Sequence, residues 1–585
     1  MKNYLADLIR DAGLRFIPFV DWIGELKKPE ILKADIFAGI TVALVLIPQS
    51  MANAQLAGLP PKIGLYSAFL IPIIAALFGS SRQLQNGPVA IISLMTAAAL
   101  IPLNLNAEQY IAYAAVLALL AGVMQLALGF LRLGIMVDFL SHPVVIGFIN
   151  AAAIVICSLQ VSKLFGITGI DGDHLYQTIW NLILAIPTHS HMPTVAVGGF
   201  SLVLLIFLKK VAPKLPVIMI TMVIVTVLSW LFKYEAMGGA VVGKIDKGLP
   251  SLVFPHINPG DLTTLLLPAF MIALLSFVEA FSIAKAVASK TRQHLSADQE
   301  MVGKGLANVV AGVTQGYAVS GSFSRTAVAF DAGAKTGFTA IVSGIIVGIT
   351  LLFFTGLLYH IPIATLAAVI IVAVAGMIHF EPFHHAWKIS PHDGVVALTV
   401  FLGTLALAPH IEWGIFLGIA LSIGLYLYRT MRPHFAEVAL DSDGTFRDAN
   451  LFGMETSDTL ALFRYDGDLY FANSSYLEKK LLNAVADKPE LKVLLLDLEA
   501  VDQIDVTGVE MLAKMSEHLH EAGVEFYITR PKFKLSDALK RSGLYDKIGA
   551  DKFFSKRREA LASIKELYGE SVDISHLEIH KPIKA

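Results

Sequence analysis

The stretch AVSGSFSRTAVAF, residues 318–330, sets Arg325 inside a run that carries almost no other charge. A guanidinium in apolar surroundings either holds an anion, or neutralises a carboxylate, or snorkels to an interface. Ser322, Phe323 and Ser324 follow Gly321, and a helix starting there leaves backbone N–H groups without intrahelical partners. The peptide dipoles add partial positive charge at that end, which favours an anion. Two amides, Gln49 and Asn53 in LIPQSMANAQLAGLPP, stand four residues apart and share a helix face. They can donate to an oxyanion without burying a charge, or bond a neighbouring helix. Pro48 beside them is predicted to bend the helix and free backbone groups. Glu279, in LLSFVEAFSIAKAVASK, either takes up and releases a proton as its surroundings change or forms a static ion pair with Arg325 or Lys285.

Other groupings carry less. His379, His384, His385 and His392 in IHFEPFHHAWKISPHD have no cysteine among them and match no closed zinc spacing, so no metal is expected. The phosphate-cradling pattern GxxxxGK[ST] is missing, which leaves ATP-driven pumping by this chain unsupported. No cofactor is implied. Arg132 and Asp138, flanking LGIMV, read as a structural pair. Cys157 is the single cysteine, so an intrachain disulfide is excluded.

These residues must be positioned by membrane helices. Apolar residues make up 55% of the 585 and charged ones 16%, well below the ~25% of soluble chains. A helical span takes about 20 apolar residues. About fourteen segments qualify or nearly so: 35–54, 63–79, 88–101, 109–130, 132–157, 192–210, 213–232, 261–288, 297–312, 322–333, 337–358, 361–378, 390–408 and 411–429. Residues 174–188 read as an interfacial helix. Two segments are unusually short, 88–101 and 322–333, each behind a glycine-bearing approach and each third in its half of the order. Short segments at matching places of two halves point to a transporter's binding site. The order therefore predicts about seven segments repeated in inverted orientation, with the helix starting near Val89 and Ala90 facing the one starting near Ser322. Basic residues near the segment ends, Lys28, Lys33, Arg82, Lys209, Lys210, Lys290 and Arg429 among them, place both termini in the cytoplasm. The first residues lack a short apolar region with a cleavage site, and no signal peptide is expected. A cytoplasmic segment is read over 1–34 and a transport domain over 35–430.

From about 440 to 567 the pattern changes to strands alternating with helices, a small α/β domain. TLALFRYDGDLYFAN reads as a hairpin, SSYLEKKLLNAVAD as a helix, LKVLLLDL as a buried strand, TGVEMLAKMSEHLHEAG as a helix and VEFYIT as a strand. The tail, 568–585, is expected to be loosely ordered.

IPQSMANAQLAGLPPKIGLYSAF, SFVEAFSIAKAVASK, GKGLANVVAGVTQGYAVSGSFSRTAVAFDAGAKT and LFGMETSDTLALFRYDGDLYFAN with VDQIDVTGVEML resemble the SulP sulfate permeases, relatives of the animal anion exchangers and prestin. The resemblance runs from about residue 10 to 567. It implies an inverted repeat like that of uracil permeases, core and gate domains, a cytoplasmic STAS domain and a homodimer in the plasma (inner) membrane. It also implies a transporter rather than an enzyme, with a small inorganic or organic anion and protons as partners in the lipid bilayer, and no nucleic acid. On that resemblance Gln49, Val89, Ala90, Ser322, Phe323, Ser324 and Arg325 line the anion site and Glu279 couples a proton. QSMANA departs from the QSMAYA of many members, so Asn53 puts an amide where a ring is usual. That leaves sulfate beside bicarbonate or a dicarboxylate as substrate, and an uncoupled channel as a rival. Thr507, in the DVTG turn, resembles a phosphorylatable hydroxyl of anti-sigma antagonists, open to a cytoplasmic regulator, or is simply a helix cap.

Overall fold

The computed structural model describes residues 18–134, 141–168, 174–212, 215–255, 258–408 and 410–578. Asp138, Lys214, residues 1–17 and residues 579–585 lie outside these residues. The chain divides into two compact units, one ending at Ser422 and one beginning at Ile423.

Each of the apolar segments meets a helix in the first unit or across its end. They are α1 (Pro29–Leu56), α2 (Pro61–Phe78), α3 (Ala90–Leu100), α4 (Ala107–Phe130), α5 (His142–Phe165), α6 (Met192–Val211) and α7 (Val217–Leu231). The second set is α8 (Leu262–Thr291), α9 (Ala297–Val313), α10 (Phe323–Asp331), α11 (Phe338–Ile349), α12 (Ile363–Ala375), α13 (Pro391–Leu407) and α14 (Glu412–Thr430). Among the described residues, 8 helices are long and apolar enough to cross a membrane, counting α11 with the π and 3-10 turns that extend it to Leu358. The expected interfacial helix is Leu175–His189, and His384 and His385 lie on a further short helix, Glu381–Ile389. α1 runs on through Pro48 as one helix.

Small residues let the helices approach backbone to backbone, as membrane packing requires when no hydrophobic force distinguishes helix from lipid. A Cβ on Gly122 of α4 would stand 2.6 Å from Val309 N and 2.7 Å from Gly305 O of α9. On the other side of α9, a Cβ on Gly303 would meet Gly79 N at 2.5 Å. Polar groups tie distant segments together. Asp35, fully buried on α1, accepts from Lys335 N at 2.7 Å, Thr336 N at 3.1 Å, Thr336 Oγ1 at 2.6 Å and Thr339 Oγ1 at 3.0 Å. A carboxylate with that many donors fixes the approach to α11.

Where the two short helices begin, the chain forms a two-stranded ribbon, β1 (Asn86–Gly87) with β2 (Ser320–Gly321). The strands run antiparallel, Asn86 opposite Gly321 and Gly87 opposite Ser320. α3 leaves β1 and α10 leaves β2 within three residues, so the chain departs the ribbon in opposite senses with both helix starts at the same place.

The second unit holds a six-stranded sheet of order β4-β3-β5-β6-β7-β8: β3 (His434–Leu440), β4 (Phe446–Asp448), β5 (Leu460–Asp466), β6 (Val493–Asp497), β7 (Glu525–Thr529) and β8 (Phe553–Phe554). β5 to β8 are parallel, and β3 pairs antiparallel with both β4 and β5. The helices after β5 are α15 (Ser474–Asp487), α16 (Val506–Glu521), α17 (Phe533–Arg541), α18 (Leu544–Ile548) and α19 (Arg557–Tyr568). Every residue of β6 is buried, as a strand covered on both faces must be. The expected hairpin in TLALFRYDGDLYFAN is wrong. Only Leu460–Asp466 is a strand, because Asp468 accepts from Asp502 N and Gln503 N and Asn473 from Tyr470 N, which folds the rest into a turn before α15.

Candidate functional site

The ribbon positions the residues that the sequence singled out. Ser322 caps α10, its Oγ accepting from Arg325 N at 3.4 Å and lying 3.3 Å from Ser324 Oγ. Val89 occupies the same place before α3, where no side chain bonds the first N–H groups. Val89 is buried and Ala90 partly so, whereas Ser324 and Phe323 are exposed, Phe323 to 69%. Phe323 thus stands on the open side of the crossing.

Arg325 is the bulkiest fully buried side chain among the described residues. Its Nη1 donates to Gln49 Oε1 at 3.2 Å and to Pro88 O at 3.0 Å. Its Nε and Nη2 have no partner. A buried guanidinium with unmet donors is costly in a membrane interior unless a ligand completes it. Gly87 keeps the space beside Nη2 open, since a Cβ there would come within 3.2 Å of that nitrogen and the residue has φ +150.

Gln49 and Asn53 do share a face, and both serve this corner. Asn53 Nδ2 donates to Pro88 O at 3.0 Å, the same carbonyl that takes Arg325. The Asn53 amide therefore braces the approach to α3 through the backbone of Pro88.

Glu279 on α8 has a buried Oε2 with no hydrogen-bond partner. Neither Arg325 nor Lys285 forms an ion pair with it within 4.0 Å, so the static-pair alternative is not what the fold builds. Lys285 is exposed. The cations whose charge acts on Glu279 are Lys304 and Arg325.

Lys304 was missed. It lies 2% exposed on α9 and donates from Nζ to Asn86 Oδ1 of β1 at 3.1 Å. Glu300, one turn away and 3% exposed, accepts from Ser80 N, Ser80 Oγ and Ser81 N at 2.9, 3.0 and 2.9 Å. The signal was present in GKGLAN, a charge in mid-segment with glycine on either side. Behind the crossing, Tyr317 OH meets Ser93 Oγ at 2.9 Å, and Asn308 links Val319 N to Gln125 at 2.9 and 2.8 Å. The crossing is a set of backbone dipoles and fixed donors, with one carboxylate and two cations close by. It suits an anion better than a cation or an apolar ligand.

Among the described residues, no group of three or more His, Cys, Asp or Glu could hold a metal ion. In the second unit, Asp505 caps α16, its Oδ1 accepting from Gly508 N at 2.8 Å. Thr507 is therefore not the cap, and it is exposed in the first turn.

Residues 32–400 match the sequence profile of the sulfate permease family, and residues 452–560 that of the STAS domain. The chain is 31% identical over 582 residues to Sulfate transporter 4.1, chloroplastic, of Arabidopsis thaliana, covering 96% of this chain and 84% of that protein. It is 33% identical over 534 residues to Probable sulfate transporter Rv1739c of Mycobacterium tuberculosis, covering 89% and 93%. The fold is that of the murine Solute Carrier 26 family member A9 anion transporter in the inward-facing state, with TM-score 0.87 over 94% of each chain at 23% identity. The transmembrane domain of the cyanobacterial bicarbonate transporter BicA matches 67% of this chain and 97% of its own with TM-score 0.56, at 22% identity. With the permease profile spanning most of its length and a plant relative 31% identical over 96% of it, this chain belongs to the sulfate permease family and carries a STAS domain at its C-terminal side.

Proposed function

We propose that this multi-pass membrane anion transporter is a secondary carrier of sulfate or a related small oxyanion, held between the starts of α3 and α10. The observation that carries the reading is Arg325. It is buried to 99% at the meeting point of two helix N-termini, with Nη1 fixed by Gln49 and Pro88 and with Nε and Nη2 unmet. An oxyanion would satisfy those donors together with the first N–H groups of both half-helices. The relatives named as sulfate transporters support the choice of sulfate first. Asn53 keeps bicarbonate and dicarboxylates as alternatives, since the usual ring is replaced by an amide.

Glu279, partly buried with its Oε2 fully so and without an ion-pair partner, is the candidate carrier of a coupled proton. Its place beside two cations lets one carboxylate compensate their charge when the anion is absent. The further parts of the reading are an inverted repeat of about seven spans in each half, movement of a core against a gate, and a homodimer. Both termini face the cytoplasm at the plasma (inner) membrane, and the exposed Thr507 offers a cytoplasmic regulator a hydroxyl. A carboxylate beside the site speaks against an uncoupled channel. Counterflow in liposomes decides between them: saturable exchange of labelled for unlabelled sulfate is the expected result, and non-saturable flux without counterflow would refute the carrier.

A further inference from the structure

Two cations are buried among the described residues, Arg325 at 1% exposure and Lys304 at 2%. Arg325 stands at the crossing, but Lys304 has only one hydrogen bond, from Nζ to Asn86 Oδ1 at 3.1 Å, and no carboxylate within 4.0 Å. Burying an ammonium is costly, and a single bond to a neutral oxygen offsets little of that. The nearby carboxylates do not pair with it. Glu300, one turn back on α9, uses its Oε2 to accept from Ser80 N, Ser80 Oγ and Ser81 N at the end of α2. Glu279 on α8 and Arg325 on α10 act on Lys304 through space without touching it.

The group that Lys304 does touch belongs to the ribbon. Asn86 is the first residue of β1, and the second, Gly87, borders Arg325, where a Cβ would stand 3.2 Å from Nη2. One side chain and one peptide unit thus separate the ammonium from the anion corner. A Coulomb interaction needs no contact, and burial leaves it weakly screened. Its energy is proportional to the charge of the ligand, so it doubles from a monoanion to a dianion. We infer that Lys304 sets a preference for doubly over singly charged oxyanions, acting as a fixed buried charge behind the site. The inference rests on the anion site at Arg325 and names its substrate class: dianions, sulfate among them, ahead of monoanions such as bicarbonate. The competing role is mechanical, an anchor for β1 through Asn86, which would affect every anion alike.

The test uses the full chain in liposomes, with labelled sulfate as substrate and perchlorate, a tetrahedral monoanion, as competitor. Lys304→Gln keeps a donor for Asn86 Oδ1 and removes the charge. Its half-saturation concentration for sulfate is expected to rise about a hundredfold and the inhibition constant of perchlorate about tenfold, one factor of ten for each unit of ligand charge. Asn86→Ala keeps the charge and removes the bond, and should retain most of the sulfate affinity. Equal factors for the two anions in Lys304→Gln, or no change in either, overturn the inference. Asn86→Ala weakening sulfate as much as Lys304→Gln does overturns it too, and that comparison holds even where perchlorate competes with neither protein. Lys304→Met, uncharged and of similar length, is compared in the same way should the amide variant not fold. If Arg325→Ala protein still transports sulfate, the proposed central site fails instead, whatever Lys304 does.

Discussion

Gln49 Oε1 and Pro88 O together occupy Nη1 of Arg325, at 3.2 and 3.0 Å, and turn the rest of the guanidinium toward the space between α3 and α10. Orientation of this kind is lost if Gln49 is removed. Gln49→Ala is expected to raise the half-saturation concentration for sulfate uptake about tenfold, the scale of one hydrogen bond to a charged group. Kinetics in liposomes check it, and an unchanged value would show that Pro88 alone suffices.

Arg325→Ala is expected to abolish substrate-dependent uptake in folded protein. Arg325→Lys should also lose about a hundredfold, because an ammonium cannot bond Gln49 and Pro88 and still present a planar fork. Retention of half the wild-type rate by the lysine variant would mean that charge, not geometry, holds the anion.

Glu279→Gln keeps the side-chain volume and removes the exchangeable proton. Uptake should become indifferent to an imposed pH gradient while sulfate binding persists. Acid-stimulated uptake of wild-type size in this variant would remove Glu279 from the coupling step.

Asp35→Ala leaves the N–H groups of Lys335 and Thr336 and the hydroxyls of Thr336 and Thr339 without their acceptor. The expected loss is about 3 kcal/mol of stability, the scale of several buried groups left unmet. Thermal unfolding in detergent measures it, and Asp35→Asn, which retains an acceptor oxygen, should lose less.

In the STAS domain the ring of His576 is partly buried with neither nitrogen bonded, and burial pushes its pKa down to about 4, against Asp573, which raises it. The folded domain then keeps the ring neutral where the unfolded chain would take up a proton. The stabilising contribution is complete above the ordinary value of 6.5 and is lost as pH falls from there through about 4. Hydrogen exchange of β5 to β7 in the full chain should quicken over that window, and His576→Leu should flatten the dependence.

How much of this was legible depended on how local the signal is. Long apolar runs fix helices by themselves, and the shortness of 88–101 and 322–333, with glycine before each, pointed to the crossing because a half-span needs a partner. The partners were not legible. Lys304 reads in sequence as a charge in the middle of a short segment, and only the fold brings it to Asn86, more than two hundred residues away. Pro88 carries its role in a carbonyl that every residue possesses. The hairpin was misread because alternation in LALFRYD continues into GDLY, while side chains of Asp468 and Asn473 bend the backbone there. β3 and β4 were passed over because their pairing lies outside the strand-helix alternation that marks the domain.

The ribbon of Asn86–Gly87 with Ser320–Gly321 is held by main-chain pairing, which depends on no side chain as a donor or acceptor. Both helix ends are stapled to one another, so a movement of either would carry the other with it. In the proposed carrier, an anion seated there would keep the same backbone donors around it wherever the ribbon moves, and changes of its surroundings would come from outside the ribbon. The side chains at 322–324 are then free to retune which anion is accepted, because the scaffold that solvates charge is written in backbone.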